Sequence, residues 1–421
     1  MENVTYVDVL RQPGYRKLIL ANIINRLGDA IDTLAFSWIV YAFTGEGMWA
    51  AIVFGVNKIS SVLFLPFAGA LVEKREKKRT MITADIIRCI LVAILVTIIS
   101  IKRLSIWVLI LFAFLISMAE AFRIPASTSF ITQMLNDDTR DKGVTLNVIV
   151  STIVEIAGAA IGGILISCFS ANVALLADVA SFVISIVLIW SIHQKETIDT
   201  KLKEATAVAI FQDGLFYIKN SGILITVILL AVLANASFAS LDALQTAIVV
   251  EIFHREADYL SVLNVVLSIG MLLGGIAYPS IRKRIRDYKL YKVSFAYIGL
   301  LYLVVALCRF DSSGSGMVYV FPVLLYFFYG VAASFLATGL GLQLLENVEQ
   351  SYMARVSTVY SAIASLATPT VSFLAGILTG KLGMQPLFLT IAALILCITF
   401  LHVIQNGIKN KRGERIEEKQ N

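Results

Sequence analysis

From residue 17 to residue 407 the chain is a succession of apolar runs about 20 residues long, joined by short polar connections, and this repetition limits the fold more than any other feature. A helix rises about 1.5 Å per residue, so each run is long enough to cross a hydrocarbon layer about 30 Å thick. Strands of a membrane barrel alternate apolar and polar residues in segments of about ten, and these runs do not. An all-α membrane protein is expected, with twelve spans at 17–43, 48–72, 80–100, 104–124, 144–167, 172–192, 222–250, 259–280, 289–308, 317–340, 354–379 and 385–407. Composition agrees: 58% of the 421 residues are hydrophobic and only 15% are charged, outside the balance of a soluble domain.

Lysine and arginine set the orientation. With the N-terminus inside, about 26 of the 35 basic residues fall on the cytoplasmic side and about 5 outside. The expected protein is multi-pass in the cell membrane, embedded in the lipid bilayer, with both termini cytoplasmic. Its net charge of +6 records this topology and implies no nucleic-acid partner. The first run has no small-residue cleavage site after it and leads into another span, so it reads as a retained helix. Cys89, Cys168, Cys308 and Cys397 stand singly, and His193, His254 and His402 are scattered, so neither a metal site nor any other cofactor is expected.

The longest polar connection, 193–221, divides six spans from six. Within it a helix over Ala205 to Lys219 puts Val208, Phe211, Leu215 and Ile218 on one face, as an interfacial helix lying on the inner membrane surface does. The expected organisation is an N-terminal six-helix bundle (1–192), a cytoplasmic linker with this helix (193–221), a C-terminal six-helix bundle (222–408) and a cytoplasmic tail (409–421). Two bundles around a midplane site is a transporter layout, and one such chain is expected to function as a monomer.

The first run contains "NRLGDAID", Asn25 to Asp32. A charge at the bilayer centre costs roughly 2.5 to 3.5 kcal/mol even on lenient scales, so such charges persist where they face protein or water. Asp29 lies roughly 18 Å from Lys17, close to the midplane. Arg26, Asp29 and Asp32 follow at spacings of three, a ladder in which Asp29 pairs with Arg26 and Asp32 is left under-neutralised. Glu155 falls near the midplane of the fifth span, and Glu120 with Arg123 makes a second pair at spacing three in the fourth. These six are the candidates for proton coupling; the competing reading is static ion pairs between helices. Asp85 and Arg88 read as a latch near the inner end of the third span, and Asp242 as an acid near the outer end of the seventh, where exposure costs little. Phe36, Trp38 and Phe238 are candidates for lining a substrate path, against the alternative of ordinary packing.

After the second span, "GALVEKREKKRTM" supplies Gly69, Glu73, Lys74, Lys77 and Lys78 at the positions of the signature loop that the major facilitator superfamily carries. Glu73 replaces the usual aspartate and Glu76 the second glycine, and the competing reading of the loop is positive-inside charge alone. The loop "GGIAYPSIRKRIRDYK", Gly274 to Lys289, is a looser echo at the equivalent place in the second half. In the fifth span "EIAGAAIGG" resembles the antiporter motif of drug exporters through Gly158, Gly162 and Gly163, with Ala159 where proline is expected; small residues there let helices approach closely. "RLGDAIDTLAFSWIVYAFTG", "ADVASFVISIVLI", "FQDGLFYIKN" and "ARVSTVYSAIASLATP" resemble the macrolide-efflux-like branch, so that the likeness covers nearly the whole chain. Gly28 with Asp29, then Asp178, Ser181 and Phe182, and Gly214 occupy that branch's patterns. The resemblance implies two six-helix bundles with alternating access, and export of a hydrophobic or amphipathic small molecule, of macrolide or multidrug type, in exchange for protons.

Export of a specific metabolite or siderophore, or nutrient uptake, stays open as an alternative. An intramembrane transferase is the competing class, because "NDDTRD", Asn136 to Asp141, resembles a magnesium and pyrophosphate cluster. Such enzymes pair two acidic clusters and this chain has one, so no enzyme is expected.

Overall fold

A computed structural model describes residues 9–73, 75–193, 207–307, 316–349, 352–397 and 399. Local chemistry fixes several helix ends. Helix α1, Pro13–Thr44, starts with proline in its first turn, where the missing N–H is no loss, and stops at Gly45, whose φ of 68° lets its N–H reach the Tyr41 carbonyl at 2.7 Å. Serine side chains cap three others, each accepting from the backbone N–H three residues on: Ser105 for α4 (Ile106–Met134), Ser170 for α6 (Ala171–Trp190) and Ser221 for α8 (Gly222–Ala243). The remaining long helices are α2 (Gly47–Glu73), α3 (Lys77–Ser100), α5 (Asp137–Cys168), α9 (Ala257–Arg282), α10 (Asp287–Leu307), α11 (Gly316–Asn347) and α12 (Met353–Leu382). The short amphipathic α7 covers Ala207–Lys219 and α13 covers Met384–Cys397.

Among the described residues ten helices are long and apolar enough to cross a membrane. The count of twelve expected from sequence adds two: α1, whose charged segment lowers its hydropathy, and α13, of which only a shorter apolar stretch is described.

Helices α1 to α6 pack on one another, α1 against α5 and α6, α4 against α2 and α3, and α3 against α6. In the second half α9 packs on α11, α8 on α12 and α10 on α11. Among the described residues the two main contacts between the halves are α2 with α12 and α5 with α9; α2 also touches α8, and residues 245–247 touch α1 and α2. Small residues allow both main contacts. A Cβ on Gly376 would lie 2.9 Å from the Met48 carbonyl, and one on Gly55 would lie 3.1 Å from the Phe373 ring. Ser261 of α9 donates to the Ala159 carbonyl of α5. These contacts lie toward the end of the molecule that carries Gly45, and Tyr41 there donates to Glu251 at 3.0 Å.

Two expectations change. The run 222–250 is not one regular helix: α8 ends at Ala243, and after Leu244 the chain continues as Gln245–Ala247 and a π turn, Ile248–Ile252. There Ala247 meets Gly47, a small residue on a small residue. Helix α7 begins at Ala207, and its apolar residues Phe211, Leu215 and Ile218 pack with Val356 and Val359 of α12 instead of lying only on the membrane surface. Gly214 makes this possible, since a Cβ would come within 2.6 Å of the Arg355 carbonyl. The Val208 side chain lies outside the described ones.

Candidate functional site

Two lysines fix the level of the first-half helices. Lys17 of α1 donates to the Ser191 carbonyl at 2.9 Å, and Lys78 of α3 donates to the carbonyls of Trp190 and Ile192 at 2.9 and 2.7 Å. Both place positive charge at the C-terminal end of α6, where the helix dipole is negative. From this shared level Asp29 lies about 18 Å along α1, Arg88 about 15 Å along α3 and Asp178 about 18 Å back along α6. Three chain-distant charges therefore meet at one depth.

Arg88 donates through Nη2 to Asp29 Oδ1 at 2.6 Å, and its guanidinium lies 4.5 Å from the ring centroid of buried Phe182. Asp32 and Asp178 lie within electrostatic range of the same guanidinium. Asp32 Oδ1, Asp178 Oδ2 and Arg88 Nε and Nη1 are buried without a hydrogen-bond partner among the described residues. Three carboxyls thus share one fully buried cation. Helix α1 approaches α6 this closely because of Gly28, where a Cβ would collide with Asp178 and Ser181.

This corrects the expected pairing. Arg26 stays 3.9 Å from both Asp29 and Glu120 with its side chain 40% exposed, so it is the weaker partner of Asp29. Arg88 forms no latch with Asp85. Asp85 instead takes a 2.6 Å contact from Arg123 and a 2.7 Å hydrogen bond from Ser185. Arg123 therefore does not pair with Glu120, because its guanidinium turns inward to α3 and α6 and away from its own helix face. Asn22, Asn25 and Ser127 complete this second, hydrogen-bonded network.

Beside the first cluster is a cavity of about 240 Å³ lined by Arg26, Asp29, Asp32, Phe36, Lys58, Arg88, Glu120 and Glu155, with Ala243 from the second half. Phe36 lines it. Trp38, two residues on and about 200° around the helix, packs against the apolar core instead. Phe238 packs on Tyr329 at 5.7 Å between ring centroids. Asp242, exposed and one residue from the end of α8, accepts a hydrogen bond from Tyr329 at 3.1 Å.

The fifth-span glycines face two partners. A Cβ on Gly158 would lie 2.7 Å from the Ala30 Cβ and one on Gly162 would lie 3.2 Å from the Ile31 Cα, both in α1. Gly163 meets Ser261 of α9. In the basic loop Gly69 and Glu73 belong to the last turns of α2, Lys77 is buried at the start of α3, and Lys78 makes the α6 contacts above. Lys74 lies outside the described residues. So do the side chains of Asp137, Asp138 and Asp141; the helix α5 begins at Asp137.

Sequence reasoning missed Lys58 entirely, ranked Arg88 and Asp85 below the first-span ladder as a latch, and gave Asp178 only as part of a sixth-span pattern. The signal available was depth: each is a charge well inside an apolar run.

A family model described as transmembrane secretion effector matches residues 5–419. Macrolide efflux protein A of Streptococcus pyogenes is 22% identical over 399 residues, covering 92% of this chain and 94% of that protein. The uncharacterized MFS-type transporter YfiS of Bacillus subtilis is 23% identical, with 95% of each chain covered. Among solved structures, that of the nucleoside transporter NupG superposes with a TM-score of 0.74 at 14% identity, covering 93% of this chain and 98% of that one. The fold is that of a transporter, and the chain belongs to the transmembrane secretion effector family of the major facilitator superfamily.

Proposed function

We propose that this protein is a proton-coupled exporter of hydrophobic or amphipathic compounds, of the macrolide or multidrug type, that works by alternating access between two six-helix bundles. The observation that carries this reading is the sharing of Arg88 by Asp29, Asp32 and Asp178 beside the cavity. With all three acids ionised, buried Arg88 and the part-exposed Arg26, which Glu120 also shares, do not balance them, and uncompensated buried charge is unfavourable by several kcal/mol. Taking up a proton, or a cationic group of the substrate, removes the imbalance. A site that needs one or the other exchanges them.

Alternating access requires the two states to bind proton and substrate with different affinities. Here the halves meet toward the Gly45 end, which in this reading faces outward, with both termini, the basic loops and the linker in the cytoplasm of a plasma-membrane protein. Rocking about the α2–α12 and α5–α9 contacts opens that end and changes the water access of the acids. Glu155 and Glu120 border the cavity and assist; the Asp85–Arg123 network holds α3, α4 and α6 together.

The test is uptake of a radiolabelled macrolide into proteoliposomes whose lumen is acidic. Uphill accumulation that collapses on adding a protonophore is expected. Accumulation indifferent to the protonophore would contradict proton coupling.

A further inference from the structure

Lys58 lies in the middle of α2, about 16 Å from Gly47 along the helix, a depth at which a cation is unfavourable unless something compensates it. It is exposed into the cavity, with Nζ 5.1 Å from the centroid of the Phe54 ring and Asn57 beside it. The other cavity cations are held: Arg26 by Asp29 and Glu120, Arg88 by Asp29. Among the described residues Lys58 alone of the three forms no ion pair.

Asp242 stands next to the facing wall. Its neighbour Ala243 lines the same cavity, Tyr329 donates to it at 3.1 Å, and Phe238 packs on Tyr329. Lys58 and Asp242 lie within electrostatic range of each other without forming an ion pair. The passage therefore presents an ammonium without an ion-pair contact on one half and a carboxylate near it on the other, with aromatic rings next to each. A lone ammonium balances a monoanion; a phosphate dianion beside it would keep an uncompensated charge.

We propose that Lys58 is the recognition point for a carboxylate on the transported molecule, so that amphipathic carboxylates and zwitterions are among the compounds this exporter takes, with Asp242 toward the cationic or hydroxyl end. This rests on reading the cavity as the substrate passage, and not on proton coupling. A site built around an unpaired charge discriminates strongly against an analogue lacking the opposite charge.

The test compares rhodamine B, which carries a carboxylate, with its ethyl ester, which does not. Binding to the purified full chain in detergent is followed by fluorescence polarisation, with protein-free micelles subtracted. The wild type is expected to bind the acid about tenfold more tightly than the ester. In Lys58→Met the ratio of the two dissociation constants should fall to near one, and in Lys58→Arg it should persist. Lys58→Gln replaces Lys58→Met if the latter does not elute as a monodisperse species. Absence of acid binding by the wild type, or a preference retained in the neutral variants, overturns the proposal. Detergent holds no gradient, so this result stands whether or not the carboxylate cluster carries protons.

Discussion

Arg88 of α3 and Asp29 of α1, 59 residues apart in sequence, meet at 2.6 Å, whereas Arg26, one helical turn from Asp29, stays 3.9 Å away. Burial explains the difference. The Arg88 side chain is 2% exposed and that of Arg26 is 40% exposed, and a contact sheltered from water is the stronger of two similar charges.

Removing Arg88 leaves three carboxyls without their shared cation. Arg88→Met should destabilise the protein by about 3–5 kcal/mol, the usual penalty for stranding a buried charge. The Arg88→Met/Asp29→Asn double variant should recover part of that loss. Thermal unfolding of the purified variants, read as a double-mutant cycle, gives the coupling directly.

Gly28 is needed for the close approach of α1 and α6. A Cβ there would lie 2.8 Å from the Ser181 Cβ, in addition to meeting the Ser181 hydroxyl and the Asp178 carboxyl. Gly28→Ala should lower stability by about 1–3 kcal/mol, the range for overpacking. Ser181→Gly in the same chain should restore most of it, which a general loss of helix flexibility would not allow. The comparison is of apparent melting temperatures for the two single variants and the double.

Glu251 lies past the end of α8 and accepts a hydrogen bond from Tyr41, closing the Gly45 end. Desolvation raises its carboxyl above the ordinary glutamate range, and the Tyr41 hydrogen bond opposes this. The sign follows from linkage: an acid whose pKa is raised in the closed form binds its proton more tightly there, so falling pH favours closure, and the preference fades as pH rises through the raised value. A cysteine at Glu46 should therefore react more slowly with a water-soluble maleimide as pH is lowered, after correction for the thiol's own titration. Glu251→Gln should remove that pH dependence.

The fold was legible because a membrane helix announces itself: runs of 20 apolar residues need no tertiary information. The ladder Arg26, Asp29, Asp32 was legible in its spacing and not in its partners, since spacing along one helix says nothing of which neighbour a side chain turns toward. Arg123 shows this well. Glu120 is three residues away, yet Asp85 on α3 takes the guanidinium. Counting depth from Lys17 and Lys78, both of which reach the end of α6, would have brought Asp29, Arg88 and Asp178 together. That common level is set by side-chain contacts the sequence does not display. The break after Ala243 was also hidden, because the residues through Ile252 remain apolar and only the helix geometry changes.

The account turns on protons at the carboxyls around Arg88, and the direct measurement is uphill transport by Asp29→Asn, Asp32→Asn and Asp178→Asn. Each keeps the size of the side chain and removes its titration. Proteoliposomes with an imposed pH gradient, normalised to inserted protein, should show at least one of the three unable to concentrate a radiolabelled macrolide while still exchanging it down its own gradient. All three variants concentrating it at the wild-type rate would contradict the assignment and leave Glu120 and Glu155 to be tested.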